Sequence, residues 1–454
     1  MIAIDGLRIA IFGVCIVQPL LVASTTTWSS SSSSKNSSSN TAVYNVSPFH
    51  VSDLRDGTKD KELEHILTST GILSIRVPID HEDPKNTDPD KNLLSAVCNC
   101  APSFTHIQGG DVNLLHDHRT TRHTIATATM GLHAPVPLPQ ADIVQYCGED
   151  AIHDWELARD YVSHAVSYAF LPAMDRLFQT SFSSLSGGIT TTTGKSDPTL
   201  LMKRNGDVYH SITSIVQDAI HLEHFHVYDK KTMVDPEQDV DSTRMGQEHS
   251  LEWHTDAGLF LAFLPAMNCQ EGDDVKDDAS FYIKVPKEDD TTSDEDEPRL
   301  VQYPTPGNSN EIIVNVMMGV GMEQWIQSPL KIKATRHAVK MNDDVFSRAW
   351  FGSMYLVPND TLIGDNVTFS DLKKNSFSHT MNRRFGDGKD VEDRDGSVVM
   401  GCGKGHMEHS SQKHGMHQGH SSMPFHRRRR LQHVGTFYKN DSIPSNIPLS
   451  IQKK

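Results

Sequence analysis

The chain has 454 residues, of which 37% are hydrophobic, and it carries a formal net charge of −16 at pH 7. A chain of this length and composition can bury a sizeable core and has room for about two or three domains. The negative charge would repel phosphate groups, so we expect no nucleic-acid partner.

The N-terminus is predicted to be a secretory signal peptide over residues 1–24. Arg8 precedes an apolar run at 9–23, and small residues stand at the expected cleavage point. The run is shorter than the roughly 20 apolar residues of a membrane span, so we expect no span after signal removal. We expect a secreted or lumenal glycoprotein, with a plastid destination through a signal plus transit peptide as the alternative. Sequons that agree with this route begin at Asn36, Asn45, Asn359, Asn366 and Asn440.

The next part of the chain is predicted to be a linker followed by a region of helices and strands. Residues 25–47 are rich in Ser, Thr and Asn, which is typical of a flexible linker. We expect an N-terminal α/β region over 48–207, with a helix at 60–70 and loop-rich sequence at 78–140. Its clearest element is an amphipathic helix at 149–178, where apolar residues recur near the 3.6-residue period.

From residue 208 onward the pattern changes to short strands separated by turns, which predicts a mainly β jelly roll over 208–358. The predicted strands are 221–228, 248–255, 258–264, 280–285, 311–317, 331–339 and 346–357. An acidic insertion is expected at 270–299, with its part from residue 286 mobile. Residues 359–454 form a polar tail rich in His and Arg, which we expect to pack poorly, with its His-rich part at 400–434 disordered.

Six cysteines are present, and Cys15 would leave with the signal peptide. Cys98 and Cys100 are too close in sequence for an easy mutual bridge. One of them can pair with Cys147, and the sequence does not choose between them. The odd number that remains leaves at least one free thiol or an intermolecular bond.

The segment that carries the most chemistry is Ser250-Leu-Glu-Trp-His-Thr-Asp-Ala-Gly-Leu-Phe-Leu261. Side chains two residues apart on a strand point to the same side of a sheet, so His254 and Asp256 would project together. His337, on a later predicted strand, can supply a third ligand. Two histidines and one carboxylate leave coordination positions open, which suits a non-haem Fe(II) that binds O₂ and substrate. The alternative is a surface His and Asp on an edge strand.

These residues resemble the Fe(II)- and 2-oxoglutarate-dependent dioxygenase superfamily, in its isopenicillin N synthase-like branch. The similarity covers roughly 48–358 and is carried by residues 70–75, 253–259, 311–316, 335–337 and 348–351. It implies a double-stranded β-helix with a helical N-terminal part. It also implies Fe(II) held by His254, Asp256 and His337, and oxidation of a small-molecule or peptide substrate by O₂ with 2-oxoglutarate.

The cosubstrate site departs from the family pattern. Arg348 matches the arginine that holds a carboxylate, but Trp350 replaces the serine two residues later, and the usual Asn-Val-Gly-Asp turn is changed at 315–319. Losing one hydrogen bond to a charged group costs on the order of 1.5–3 kcal/mol. We therefore expect weaker binding of 2-oxoglutarate, tightened by Trp350→Ser. If His337 faces the cavity, we expect Arg348 to face it too, and Tyr228 is a second candidate for cosubstrate contact, with a buried structural tyrosine as the alternative.

Other histidines have weaker claims. The sequence His116-Asp117-His118 with His123 is either a rival metal cluster or a solvated loop, and some of His221, His224 and His226 could face the substrate. Seven histidines of the tail could bind Zn, Cu or Ni; they are His406, His409, His414, His417, His420, His426 and His433.

Two alternative functions stay open. One is a same-fold oxidase in which Arg348 holds a substrate carboxylate, and the other is a non-catalytic, metal-binding secretory protein that acts through its tail. The oligomeric state cannot be predicted.

Overall fold

The computed structural model describes residues 42–79, 89–115, 117, 119–185, 199–230, 249–269, 280–286, 296–305, 310–341 and 347–374. The predicted signal peptide, most of the predicted linker and the His-rich part of the predicted tail lie outside these residues. Within them, no helix combines the length and the apolar composition needed to cross a membrane.

Strands are the most frequent elements after residue 208, as the turn-rich sequence there predicts. The strands are β1 (Val43–Asn45), β2 (Pro48–His50), β3 (Ile72–Pro78), β4 (Gly110–Leu114), β5 (Thr120–Met130), β6 (Ala134–Pro135), β7 (Leu201–Lys203), β8 (Val208–Tyr209), β9 (Ile220–Lys230), β10 (Leu251–His254), β11 (Phe260–Phe263), β12 (Met267–Asn268), β13 (Phe281–Val285), β14 (Glu297–Gln302), β15 (Glu311–Met318), β16 (His337–Val339), β17 (Ser347–Tyr355), β18 (Thr361–Gly364) and β19 (Val367–Thr368).

Most of these strands belong to two large sheets. One sheet has the order β1-β14-β13-β16-β10, and the other has the order β2-β3-β15-β11-β17-β9-β5-β4, with β12 beside β17 and β6 beside β5. A pocket lies between them, because residues of both sheets line it: Phe281 and His337 from the first, Leu261 and Trp350 from the second. Two mostly antiparallel sheets that enclose a pocket confirm the predicted jelly roll.

The helices are α1 (Val51–Asp56), α2 (Asp60–Ser69), α3 (Pro89–Cys100), α4 (Gln140–Cys147), α5 (Glu149–His164), α6 (Leu171–Leu185) and α7 (Ile212–Gln217). A 3₁₀ helix spans Ala101–His106, and π-helices span Ala165–Phe170 and Gly321–Trp325. The predicted helices at 60–70 and 149–178 are confirmed in position. The second is longer than predicted, because α5, the first π-helix and α6 follow one another without a break.

Strand β9 shows how the sequence separates the two faces of the larger sheet. Its side chains alternate between the faces with a period of two residues. Phe225 stacks on Trp155 of α5, with 4.8 Å between the ring centroids, and so faces the helices. Tyr228 lines the pocket on the other face. The helices thus cover one face of this sheet, and the other face is left to form the pocket.

The prediction of loop-rich sequence at 78–140 is wrong for much of that stretch. It contains α3 and β4, and β5 pairs with β9 along its whole length, from Thr120 to Met130. Polar residues such as Arg122 and Thr124 occupy the buried positions of β5. The apolar alternation that would reveal a strand is therefore missing from the sequence.

Only the last part of the predicted strand at 331–339 is a strand, β16. The residues before β16 make backbone hydrogen bonds that do not belong to a regular strand pair. The N–H of Lys333 donates to the Leu67 carbonyl at 2.9 Å, and the N–H of Thr335 donates to the Met318 carbonyl at 2.9 Å. These residues tie the end of α2 to β15, so the chain cannot continue a regular strand there.

Two stretches predicted to be mobile or poorly packed contain strands. In the acidic insertion, β14 pairs with β13, so residues 297–302 belong to the five-stranded sheet. At the start of the predicted tail, β18 and β19 join β7 and β8 in a small four-stranded sheet. Phe369, which follows β19, is fully buried. The rest of the predicted tail, from residue 375, lies outside the described residues.

Two disulfides are present in the described chain, Cys98–Cys269 and Cys100–Cys147. The second is one of the two pairings that the sequence allowed with Cys147. The first joins α3 to the residue after β12 and was not predicted. Cys402, the remaining cysteine after the signal peptide, lies outside the part of the chain that the structure describes.

Candidate metal centre and adjoining pocket

Three residues that the sequence suggests as metal ligands come together at one end of the five-stranded sheet. His254 ends β10 and His337 begins β16, and the two are register partners in the antiparallel pair. Their ring centroids are 4.2 Å apart, and His254 Nε2 lies 3.8 Å from Asp256 Oδ1. One ligand atom from each of His254, Asp256 and His337 lies within 4.8 Å of the others. This spacing fits three groups arranged around a single ion.

The three side chains are buried and incompletely hydrogen-bonded. His254 is 6%, Asp256 1% and His337 2% exposed. Among the described residues, no group hydrogen-bonds either carboxylate oxygen of Asp256 or Nε2 of His254. A buried carboxylate without donors is strongly disfavoured unless a cation compensates for the lost hydration. The chemistry of this donor set therefore fits a divalent metal ion.

The backbone fixes how both imidazoles are presented. His254 Nδ1 lies 2.7 Å from the Glu252 carbonyl, and His337 Nδ1 lies 3.1 Å from the Thr335 carbonyl. A carbonyl only accepts, so Nδ1–H donates in each case and Nε2 keeps its lone pair. Burial lowers the pKa of each imidazole to about 4, so both are neutral at pH 7. They are therefore in the form that binds metals.

Asp256 lies just beyond the end of β10, in a turn that packs against a second turn. The N–H of Val320 donates to the Asp256 carbonyl at 2.8 Å, and that of Gly321 donates to the Gly258 carbonyl at 2.9 Å. A Cβ on Gly319 would lie 2.3 Å from the Gly258 oxygen, so only glycine allows this approach. Gly319, the last residue of the changed motif at 315–319, thus permits the close packing of the two turns. Burial raises the pKa of the carboxyl to about 6.

The pocket extends from His337 along the larger sheet to Arg348. It is lined by Tyr228, Leu251, Leu261, Phe263, Leu264, Ala266, Phe281, Tyr303, His337, Val339, Arg348 and Trp350. Arg348 is 5% exposed, and its guanidinium carbon lies 5.8 Å from the centre of the Tyr228 ring. Among the lining residues in the described chain, Arg348 is the one cationic side chain, and none is acidic. A pocket of this kind suits an anion with an apolar or metal-bound remainder.

The structure places the residues expected at the cosubstrate site in this pocket. Arg348 and Trp350 both line it, as the alternation of β17 predicts, and so does His337 of β16. Tyr228 pairs with Arg348 across β9 and β17. Whether these residues bind a cosubstrate stays a prediction.

Of the rival cluster of His116, Asp117, His118 and His123, the structure describes Asp117 and His123. Asp117 accepts hydrogen bonds from the backbone N–H of Arg119 and Thr120, which is a turn-capping role. His123 Nε2 lies 3.0 Å from Asp229 Oδ2. His116 and His118 lie outside the described residues.

The alternating histidines of β9 divide between the two faces. His221 Nε2 bonds the Val216 carbonyl at 2.9 Å, and its Nδ1 accepts from the Leu356 N–H at 3.1 Å, so its role is structural. His226 is on the pocket side, 4.9 Å from the Trp350 ring centre and 2.7 Å from Thr124 Oγ1. Sequence reasoning missed Arg122, a buried residue whose positive charge helps to lower the pKa of His254.

No protein family model and no curated protein matches the chain. Solved structures do resemble it. The dioxygenase for auxin oxidation from rice is 11% identical, with a TM-score of 0.40, and the match covers 74% of this chain and 95% of that one. A full-length Neurospora crassa protein in complex with alpha-KG is 13% identical, with a TM-score of 0.39 over 72% of this chain and 90% of that one.

A further similar structure is a 2OG-Fe(II) oxygenase family protein from Caulobacter crescentus. It is 12% identical, with a TM-score of 0.42, and the match covers 74% of this chain and 98% of that chain. The similar structures thus include proteins of the superfamily that the sequence motifs resemble.

Proposed function

We propose that this protein is a non-haem Fe(II)-dependent dioxygenase that oxidises an organic substrate with O₂ and 2-oxoglutarate. The observation that carries the proposal is the buried set of His254, Asp256 and His337, with ligand atoms within 4.8 Å of one another. Within the described part of the chain, the Asp256 oxygens and His254 Nε2 have no hydrogen-bond partner. A divalent cation would supply that partner.

The donor set favours iron over a structural metal. Structural zinc sites are closed by four protein ligands, commonly with cysteine among them. The candidate set in the described chain consists of two histidines and one aspartate. Three such ligands on one side of an ion leave open positions, as in non-haem Fe(II) oxygenases. When bound, Fe(II) with 2-oxoglutarate and O₂ supplies the oxidation of a substrate C–H bond.

The protein's own groups would position and shield the reactants. Carbonyl oxygens hold both imidazole rings with Nε2 available. Arg348 would hold the far carboxylate of 2-oxoglutarate through paired N–H donors. The aromatic side chains of Phe263, Phe281 and Trp350 in the pocket wall would exclude water, which strengthens charge pairing there.

One observation favours a second candidate function. Trp350 replaces the hydroxyl that would help Arg348 to bind 2-oxoglutarate. In a same-fold oxidase, Arg348 would hold the carboxylate of the substrate itself. The substrate is a small molecule or a peptide in either case.

We also propose a secretory location, with the glycoprotein state that accompanies it. Two disulfides in the described chain support an oxidising compartment. The sequon residues Asn359 and Asn366 are exposed, which supports their glycosylation.

The decisive experiment measures O₂ consumption by the Fe(II)-loaded protein with and without 2-oxoglutarate, alongside anaerobic calorimetry of Fe(II) binding. We expect 2-oxoglutarate to stimulate uptake and His254→Ala to abolish tight Fe(II) binding. His65→Ala, at an exposed position on α2, is the matched control and should bind Fe(II) normally. O₂ uptake that is the same with and without 2-oxoglutarate would favour the oxidase. If His254→Ala binds Fe(II) as tightly as the wild type, the metal assignment is wrong.

A further inference from the structure

Trp350 and Gly352 are two residues apart on β17, so they lie on the same side of the sheet. A Cβ atom placed on Gly352 would lie 2.2 Å from Cζ3 and 3.1 Å from Cε3 of Trp350. Such a distance is shorter than any normal carbon–carbon contact. The indole therefore lies over the bare backbone of Gly352. Because Arg348 precedes Trp350 by two residues, the ring leans away from Arg348.

Neighbouring rings restrict where this indole can go. Its centre lies 4.9 Å from His226 on one side and 6.2 Å from Phe263 on the other, the latter in an edge-on arrangement. Trp350 is 8% exposed, so solvent offers little space. The open volume in contact with the ring is the pocket that it shares with Arg348.

We propose that Gly352 determines the size of the Arg348 pocket, because it gives the Trp350 indole a place away from the bound carboxylate. Gly352 is thus a specificity-determining position that acts through Trp350. The inference rests on the proposed function in one respect, since it takes the Arg348 pocket as the site of a carboxylate cosubstrate.

A methyl group at residue 352 should move the ring and leave the strand in place. The atoms that it would meet first are the outer edge of an indole, and a third neighbour, Leu261 Cδ1, is 3.2 Å away. Alanine is no worse than glycine in a strand backbone. The displaced ring would then enter the pocket next to Arg348 and compete with a ligand.

The test is a double-mutant cycle on the Fe(II)-loaded full chain under anaerobic conditions, with 2-oxoglutarate as the titrant. Gly352→Ala should weaken binding about tenfold or more, which is the scale of an overpacked site. In a Trp350→Ser or Trp350→Leu background, adding Gly352→Ala should change binding by less than about twofold. The leucine background keeps apolar volume if the serine variant folds poorly. Gly364→Ala is the control, because a Cβ there meets nothing within 4 Å.

Two further readouts separate this inference from the proposed function. Fe(II) affinity should be unchanged in Gly352→Ala, since His254 and His337 lie on other strands and Asp256 lies in a turn. Tryptophan fluorescence should differ between Gly352→Ala and the wild type, and the difference should vanish in both Trp350 backgrounds. This comparison needs no ligand, so it tests whether residue 352 positions the Trp350 ring even if the wild type does not bind 2-oxoglutarate. An equal loss of binding in the Trp350 backgrounds, or unchanged fluorescence, would overturn the inference.

Discussion

Burial gives the three candidate ligands an unusual order of protonation. It lowers the pKa of His254 and His337 to about 4 and raises that of Asp256 to about 6. Both imidazoles therefore stay neutral until the pH approaches about 4. The carboxyl takes up a proton as the pH falls through about 6. As the pH falls, protonation of Asp256 therefore opposes metal binding before protonation of either histidine does.

Metal affinity should follow that order. We expect it to be constant above about pH 7 and to fall about tenfold per pH unit below about pH 6, because binding must displace one proton from Asp256. Anaerobic calorimetry of Fe(II) binding between pH 5 and 8 measures the slope. A site made of ordinary histidines would instead lose affinity about a hundredfold per unit, starting near pH 6.5. Observing that steeper dependence would show that burial does not lower the pKa of His254 and His337.

The candidate ligands could be suggested from the sequence because their spacing is local. His254 and Asp256 are two residues apart, and His337 lies in a segment with strand character. What holds Asp256 could not be foreseen. The approach of Gly319 to the 256–258 turn brings together two loops that are distant in sequence, and no periodic pattern records such a contact.

At the scale of single elements, β12 is the shortest of the strands beside Arg348. It comprises two residues, and its Asn268 is the register partner of Arg348 on β17. The Cys269 N–H donates to the Ser347 carbonyl at 2.9 Å, and Cys269 is bonded to Cys98 of α3. A strand so short depends on what anchors its end, and the disulfide is that anchor.

Removing this disulfide should loosen β12 locally. Cys98→Ser with Cys269→Ser should lower the free energy of unfolding by about 2–5 kcal/mol and speed amide exchange at 267–269 and 347–349. The matched control is Cys100→Ser with Cys147→Ser, which removes a bridge confined to the helical region. That pair should also destabilise the protein but leave exchange at β12 unchanged. Unfolding by denaturant and hydrogen exchange provide the two measurements. Equal exchange at β12 in both variants would show that the Cys98 bridge does not hold the strand.

The strands that the sequence predicted and the strand that it missed differ in the polarity of their buried residues. Apolar strands such as β11 and β15 were predicted, because burial on both faces selects continuous hydrophobic residues. Strand β5 was missed, since its buried residues include Arg122 and Thr124, the register partners of Tyr228 and His226, and polar residues at buried positions remove the usual alternation. A strand whose buried residues are polar cannot be recognised from hydrophobic alternation.

At the scale of the whole molecule, the residues just after the jelly roll contribute to its stability. Strand β18 pairs with β7, and Phe369 lies fully buried, 5.5 Å from the ring centre of Trp325. Trp325 ends the π-helix Gly321–Trp325, which follows the turn that packs on Asp256. The predicted tail is therefore joined at its start to the support of the metal centre.

Two truncations should separate these residues from the remainder of the tail. Ending the chain after Pro358 removes β18, β19 and Phe369. The loss of one such buried phenylalanine costs about 3–5 kcal/mol, so both stability and Fe(II) affinity should fall. Ending it after Lys374 keeps all described residues and should leave unfolding, Fe(II) affinity and 2-oxoglutarate-dependent O₂ uptake unchanged. The longer truncated protein should lose only the additional Zn, Cu or Ni binding expected of the tail histidines. If it folds but no longer consumes O₂, the tail takes part in the chemistry, and the metal centre formed by His254, Asp256 and His337 is not sufficient for activity.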